Sequence, residues 1–366
     1  METTFKEKLI LKEEDVYFQK FLSKDGQEFG LRFATPKDAK NISKMFKEIY
    51  NYEYINPIVY DDTLLKKEIS DPNKFWVVGE LIENKIKEIT GAALVEKERY
   101  IAHAGSLITR KKFQGLGITT KIAVGGLITV TKMPQFKDVL RLDSEVRGSQ
   151  IKIQAVAQNA GAVPYSIIPA YINFGDKREF EVDDNCPCPP QHEETAIIFS
   201  MIFRNLWKKR DKNVVLLDNE VLVFFYKYMK SKCKRMKDDT LYFEKWKNNK
   251  GYELYGVSKN YYSAIVKLYG YIKEKSINNL LKVYKNWRII LWKIPTTHNG
   301  VQSMKLALEK GFKVLGYDIG FNNINWTLFD SIILAYYPLG HNNLLDVNCL
   351  DSIKPLYNRI KEQFKS

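Results

Sequence analysis

Cysteine is scarce in this sequence, with four residues among 366. Cys233 and Cys349 stand alone, which fits a reducing compartment and argues against a disulfide-built fold. Cys186, Cys188 and His192 form a group with metal-binding chemistry, but a fourth ligand is missing and the cysteines are closer together than in common zinc sites. We interpret this segment as a proline-stiffened loop and expect no metal.

Long apolar runs are also missing. No stretch reaches the roughly 18 residues that cross a membrane, and the N-terminus lacks the basic-then-apolar pattern of a signal peptide. We therefore expect a cytoplasmic protein without a membrane partner. Hydrophobic residues at 45% and aromatic residues at 13% exclude a disordered chain, and the length allows two ordinary domains.

Acidic residues are fewer than basic residues. The net charge is +14 and the pI is about 9.3, a balance that favours nucleic acid, acidic lipid or a cofactor with several phosphates. Lysine is spread along the chain, with denser blocks at 208–212 and 227–237. Because no helix-turn-helix, zinc finger or RNA-stacking motif is visible, we do not expect a nucleic-acid partner.

One segment has the pattern of a phosphate-binding loop. The apolar run Ile101–Ile108 leads into three basic residues at 110–112, then Gly115 and Gly117, then the helical pattern 118–131. Glycines let backbone N–H groups approach an oxyanion, and a helix N-terminus favours negative charge. No Gly-Lys-Ser/Thr follows and a third glycine is missing, so neither a P-loop nor a dinucleotide fingerprint is present.

The loop Gln114-Gly-Leu-Gly-Ile-Thr119 resembles the Gln/Arg-x-x-Gly-x-Gly/Ala signature of the GNAT superfamily of acyl-CoA-dependent N-acyltransferases. Thr119 departs from that signature, which usually has Gly or Ala there. The segment Thr35-Pro-Lys-Asp-Ala39 resembles the opening of the same family, where a strand ends and a helix begins. The resemblance implies an α+β fold with a mixed, mostly antiparallel central sheet flanked by helices.

The order of predicted elements agrees with this resemblance. We predict strands at 31–35, 75–82, 89–95, 101–109, 139–143, 165–168 and 195–201, and helices at 39–49, 61–70, 118–131 and 149–159. The implied domain covers 30–205 and follows an N-terminal extension at 1–29. Gly125 and Gly126 lie inside a predicted helix, so that helix either packs very closely or ends early.

A second domain is predicted at 206–366. Residues 206–285 are rich in Lys and Tyr with helical stretches, and strand, helix, strand, strand follow at 287–292, 301–310, 313–319 and 331–337. The segment Leu308–Gly316 resembles the closing half of a GNAT domain. No second glycine loop precedes it. We therefore expect a degenerate GNAT-like domain and one cofactor site per chain, the alternative being an unrelated α/β unit.

The resemblance implies acetyl-CoA as cosubstrate and a primary amine as acceptor, on a small molecule or on a protein lysine or N-terminus. Backbone N–H groups of the loop would hold the pyrophosphate, and Lys111 and Lys112 would meet the phosphorylated ribose. Backbone groups of Leu107 and Thr109 would pair with the pantetheine arm as an added strand does. The residues assigned to the pyrophosphate are Gln114, Gly115, Leu116, Gly117, Ile118 and Thr119.

The reaction needs a base near the central strand. His103 lies in this strand, and an imidazole side chain is suited to taking up a proton near neutral pH. Glu145 and Asp143 are the alternatives, with Glu96 and Glu98 less favoured. Many family members protonate the leaving thiolate with a Tyr, and Ala157 stands at that position here. This departure leaves a second function open, a non-catalytic acyl-CoA sensor or interaction module.

Overall fold

The computed structural model describes residues 16–83, 86–183, 187–244, 253–340 and 347–365. Contacts divide the chain into two compact units. Unit 1 comprises Met1–Ser144 with Asp176–Arg178, and unit 2 comprises Glu145–Gly175 with Glu179–Ser366. Among the described residues, no helix combines the length and apolar character needed to span a membrane.

Unit 1 is a sheet covered by helices. Its elements are β1 Gln19–Leu22, β2 Glu28–Phe33, α1 Ala39–Tyr50, α2 Asp62–Ser70, β3 Lys74–Glu83, β4 Ile86–Glu98, β5 Ile101–Thr109, α3 Ile118–Thr131 and β6 Arg141–Arg147, whose last three residues fall in unit 2. The strands lie in the order β1-β2-β3-β4-β5-β6. Neighbours are antiparallel up to β5, and β5 and β6 are parallel.

The start of α1 follows from its sequence. The backbone N–H and hydroxyl of Thr35 donate to one oxygen of Asp38, at 2.7 and 3.0 Å, which fixes the turn before the helix. Arg32 in turn donates to the same carboxylate. The apolar residues Ile42 and Phe46 are then fully buried against the sheet. The sequence prediction of this helix start is confirmed.

Helix α3 lies unusually close to the sheet. A Cβ at Gly125 would come within 2.8 Å of Leu31 Cδ1, and one at Gly91 on β4 would come within 2.7 Å of Ile122 Cδ1. Glycines on both faces of the contact therefore allow the close approach. Of the two outcomes expected for Gly125-Gly126, close packing is the one observed. This packing fixes the N-terminus of α3 beside the end of β5.

Unit 2 contains most of the remaining elements. They are α4 Ile151–Asn159, β7 Val163–Phe174, β8 His192–Ile202, α5 Arg204–Lys209, β9 Asn213–Leu217, α6 Glu220–Lys232, β10 Thr240–Glu244, β11 Leu254–Asn260, β12 Ile265–Tyr271, α7 Glu274–Val283, β13 Ile289–Pro295, α8 His298–Glu309, β14 Lys313–Ile324, β15 Thr327–Tyr336 and α9 Lys354–Gln363. The large sheet of this unit has the order β8-β7-β14-β15-β13-β12-β11, and β9 and β10 form a separate parallel pair.

Two segments of unit 2 share the same irregularities. Strand β7 has register shifts between Pro164 and Ser166 and between Ile168 and Ile172. Strand β14 has them at the matching places, between Val314 and Gly316 and between Asp318 and Asn322. Each strand follows a helix that ends at a left-handed glycine, Gly161 with φ 91° and Gly311 with φ 83°. Bulges are specific local features, so their repetition shows that the two segments have similar local structure.

The predicted elements are found, with differences at their ends. Residues 19–22 of the predicted extension form β1, while residues 1–15 and the predicted turn at 84–85 lie outside the described residues. Four strands, β9 to β12, were missed within 206–285. Strands β7 and β14 extend well beyond the predicted ranges. The contact division falls after Ser144, within β6, and the domain bounds 30–205 and 206–366 stay a prediction.

Candidate functional site

The central feature of the site is a bulge in β5. Between the paired positions Ala92 with Ile108 and Leu94 with Gly105, β5 has two residues where β4 has one. Ser106, in the bulge, has a left-handed φ of 51°. A bulge turns the backbone away from its partner strand, so polar backbone groups at Ser106 and its neighbour Leu107 are available to a ligand.

The same strand is open on one face. Strand β5 lies between β4 and β6, yet its residues His103 and Gly105 are exposed. A Cβ at Gly105 would meet no atom within 4 Å. The Cα pairing with β6 covers Ile101–Ala104, so the rest of β5 extends past the paired stretch. An extended ligand arm therefore has both space and backbone partners along the end of β5.

The loop after β5 has the conformation of an anion site. Gly115 has φ 85° and Gly117 has φ 87°, and Gly117 is the N-cap of α3. The first bond of α3 is donated by Lys121 N–H to Gly117 O. Within the described part of the chain, no protein acceptor is recorded for the backbone N–H groups of 115–120. They lie at the positive end of a helix, where phosphate is favoured.

Side chains brace this loop. Gln114 Nε2 donates to Thr109 O at 3.1 Å, which ties the loop back to the strand end. Thr109 Oγ1 lies 2.9 Å from Thr119 Oγ1. This pair gives a physical reason for Thr119, the residue that departs from the family signature. Its hydroxyl joins the first turn of α3 to the end of β5, a contact that Gly or Ala cannot make.

The basic residues near the loop are not equivalent. Arg110 donates to Glu48 at 2.8 Å and to Ile89 O, so it fastens the loop to its own unit. Lys112 forms an ion pair with Glu88 at 2.8 Å. Lys111 is exposed and no partner is recorded for it among the described residues. Lys121 is exposed in the first turn of α3. It is a second cation near the loop, and the sequence did not indicate it as a cofactor-binding residue.

His103 is placed far along the strand from the loop. Thr109 lies six positions further along the strand, about 20 Å away at the usual strand rise. Its side chain is 47% exposed, and its Nε2 lies 3.9 Å from Glu98 Oε2. Its Cα partner on β6 is Asp143. A group at His103 can therefore act only at the far end of an arm that runs along β5.

The two acidic alternatives have different surroundings. Asp143 is buried and accepts two hydrogen bonds from Arg141, at 2.9 and 2.8 Å, so its charge is already neutralised. Glu145, two residues further along β6, is exposed and accepts a hydrogen bond of 2.6 Å from Tyr171. Of these two carboxylates, Glu145 is the one open to a ligand.

Ala157, the residue at the position expected for a general acid, has no proton to donate. Ala157 O accepts from Ala162 N–H at 3.0 Å as α4 ends, and Ala307 O accepts from Phe312 N–H at 3.0 Å as α8 ends. Ala157 and Ala307 thus make matching contacts at the ends of two helices. Neither side chain can protonate a thiolate.

The expected absence of a metal site remains a prediction. Cys186 lies outside the described residues. Cys188 is buried, and Asn173 donates to its sulfur at 3.7 Å. No group of three metal-binding side chains occurs in the ranges that the structure describes.

The left-handed glycine at the N-cap of α3 gives a direct test of the loop. Replacing Gly117 by valine is expected to weaken binding of a phosphate-bearing cofactor by about 10- to 100-fold, because losing one or two charge-assisted hydrogen bonds costs that much. Titration calorimetry with acetyl-CoA measures it. Gly26, with φ 88° and open space at its Cβ, provides the control, and Gly26→Val should leave the affinity unchanged. Equal loss in both variants would contradict a role for the loop.

No family model matches the chain, and no curated protein matches it. Solved structures do. The ribosomal-protein-S5-alanine acetyltransferase from Vibrio fischeri is 15% identical, with a TM-score of 0.38 over 51% of this chain and 98% of that one. The spermidine N-acetyltransferase from Vibrio cholerae, solved with CoA and spermine, is 13% identical, with a TM-score of 0.37 over 48% and 95%. The ribosomal-protein-S18-alanine N-acetyltransferase from Escherichia coli is 14% identical, with a TM-score of 0.34 over 48% and 97%. Over about half its length, the chain is thus similar to solved acetyltransferases, one of them described as an acetyltransferase of the GNAT family, from Streptococcus pneumoniae.

Proposed function

We propose that this protein is a GNAT-type N-acetyltransferase that moves an acetyl group from acetyl-CoA to a primary amine. The observation that carries the proposal is the continuous path from the bulge at Ser106 to the left-handed glycines and the N-terminus of α3. Backbone groups along this path match an extended arm that ends in a pyrophosphate. The acyl-CoA thioester is itself activated, so the protein mainly orients the amine and removes its proton.

The reaction balances with groups of this chain and water. The amine nitrogen attacks the thioester carbonyl carbon, the C–N bond forms and the C–S bond breaks. The amine proton passes to a base, for which His103 and Glu145 are the candidates. Because Ala157 cannot supply a proton, the leaving thiolate takes one from water. Between the two bases we favour Glu145, since a hydrogen bond from Tyr171 fixes its carboxylate.

The sequence domains 30–205 and 206–366 are part of this proposal, the second being a degenerate copy. The repeated bulges of β7 and β14 support it. In the second half, β12 leads within two residues into α7, where the first half has its glycine loop. Glu253 occupies the N-terminus of α7, accepting from Lys273 N–H and from Ser276 Oγ at 3.0 Å each. A carboxylate thus stands where a phosphate would bind, which supports one cofactor site per chain.

The alternative function is a sensor that binds acyl-CoA without turnover. The observation that favours it is Ala157, in the place of the expected acid. The two functions share the loop and differ in their chemistry, so one pair of measurements separates them.

The test combines calorimetry with an assay of thiol release. We expect acetyl-CoA to bind with a stoichiometry of one per chain, and free thiol to appear when amines are added. The acceptor panel should contain polyamines, lysine peptides and peptides with a free N-terminus. Tight binding without thiol release above background would support the sensor. Binding of neither CoA nor acetyl-CoA would contradict both functions, and two sites per chain would contradict a degenerate second half.

A further inference from the structure

Ser106 combines a strained backbone with a polar side chain. It lies in the bulge of β5, and its φ of 51° is in the left-handed region, which few residues other than glycine adopt without strain. The residue is half-buried. Strained residues concentrate at functional sites, where the surrounding contacts hold them in place. The contacts of Ser106 therefore decide what its hydroxyl can do.

The Ser106 hydroxyl accepts a hydrogen bond from a tyrosine. Tyr54, in the loop between α1 and α2, donates from its hydroxyl to Ser106 Oγ at 3.3 Å. This distance is long for two hydroxyls, as catalytic contacts often are before a substrate binds. Among the residues that the structure describes, no acceptor is recorded for the hydrogen of Ser106 itself. A hydroxyl that accepts one bond is polarised to donate another, so Ser106 is suited to donate to a ligand.

Tyr54 is itself held in place by aromatic packing. Its ring centre lies 4.7 Å from that of the fully buried Phe46 and 5.0 Å from that of Tyr50. Its backbone N–H donates to the hydroxyl of Tyr60 at 3.0 Å. All of these residues belong to unit 1, as Ser106 does. The phenol is thus fixed before any ligand arrives, which is the condition for an effective donor chain.

The position of Ser106 along β5 relates it to the proposed cofactor. Thr109 lies three positions further along the strand, about 10 Å away at the usual rise, and the left-handed glycines follow it. His103 lies three positions before Ser106. In the proposed function, the pyrophosphate binds at the glycines and the arm of acetyl-CoA extends along β5 toward His103. The thioester at the end of this arm is therefore brought to the bulge.

We propose that the Ser106 hydroxyl, positioned by Tyr54, donates a hydrogen bond to the thioester carbonyl oxygen of acetyl-CoA and stabilises the oxyanion. This inference rests on the proposed function. When the amine attacks, the electron pair of the C=O bond moves to the oxygen. When the C–S bond breaks, the pair returns and the serine keeps its proton. Ser106 is then a catalytic residue and Tyr54 a positioning residue. Such a donor raises kcat without tightening the binding of acetyl-CoA.

The test is thiol release by Ser106→Gly, Tyr54→Phe and the double variant. Glycine fits the left-handed φ and keeps the backbone N–H, so this change removes the hydroxyl alone. We expect kcat to fall about 100-fold, with the calorimetric affinity for acetyl-CoA unchanged. Tyr54→Phe keeps the ring and should lower kcat by about three- to tenfold, the effect of one neutral hydrogen bond. The double variant should be no slower than Ser106→Gly, because Tyr54 acts through that hydroxyl.

Two matched controls separate this effect from damage to the fold. Asn51→Gly places glycine at another left-handed position, with φ 54°, and Tyr52→Phe removes another phenol from the same loop. Both should retain the kcat of the unchanged protein.

Three results would overturn the inference while the unchanged protein still releases thiol. They are full kcat in Ser106→Gly, a loss of acetyl-CoA affinity as large as the loss of kcat, and a double variant slowed by the product of the two single effects. If the unchanged protein binds acetyl-CoA but releases no thiol with any amine, the proposed function fails and this inference fails with it. The two failures are therefore distinguishable.

Discussion

Replacing Glu145 by glutamine is expected to lower kcat/KM for the amine by about 10² to 10⁴, the range that a general base contributes. Glutamine has the same shape and can still accept the hydrogen bond of Tyr171, so the fold should be retained. It cannot take a proton from the amine. The measurement is thiol release at saturating acetyl-CoA, with acetyl-CoA affinity followed separately by calorimetry and expected to remain unchanged.

His103→Gln is the matched comparison, because His103 is the other candidate base. With Glu145 as the base, this variant should lose less than about tenfold. The reverse order of losses would assign the base to His103 and reject Glu145. A large and equal loss in both variants, with unchanged binding, would mean that the two side chains act in one proton path.

The second large effect concerns stability. Arg210 is almost fully buried in unit 2, where it donates to Asp239 at 2.8 and 2.7 Å and to Asp330 at 2.6 Å. Tyr317 and Gly320 N–H also donate to Asp330. Arg210→Met leaves two buried carboxylates without their cation, so the free energy of unfolding of this unit should fall by about 3–5 kcal/mol.

Urea unfolding monitored by circular dichroism measures this change. The control is Arg359→Met, since Arg359 pairs with the exposed carboxylates of Glu220 and Glu362 at 2.8 and 3.0 Å. Surface ion pairs contribute about 0–1 kcal/mol, so the control should change stability little. A loss for Arg210→Met as small as that of the control would show that the buried network is not needed for folding.

The loop was predictable from the sequence, but the contacts that hold it in place were not. Glycine spacing and apolar periodicity are local signals, and they located β5, Gly115, Gly117 and the limits of α3. The bulge at Ser106 leaves no local signal, because it depends on the pairing with β4. Tyr54, whose hydroxyl donates to Ser106 Oγ at 3.3 Å, was missed for the same reason.

Contacts between distant segments account for the other differences. Tyr171 could not be connected to Glu145 from the sequence, since their hydrogen bond joins two strands that only the fold brings together. Strands β11 and β12 were missed because their lysines and tyrosines hide the alternation of buried and exposed residues, and β9 and β10 were missed because they are only five residues long. The pairing of Ser166 with Gly316 likewise could not be seen, because it joins two strands that lie far apart in the chain.

The pairing of β7 with β14 also has a consequence for the proposed degenerate copy. Ser166 and Gly316 occupy corresponding places on β7 and β14, and Ser166 Oγ donates to Leu315 O at 3.0 Å. Two separate copies of a one-domain ancestor would meet in this way only as a homodimer, and dilution would separate them. Here the contact is intramolecular, so its effective concentration is set by the connecting chain and does not depend on expression level. Each half is then free to diverge without losing its neighbour.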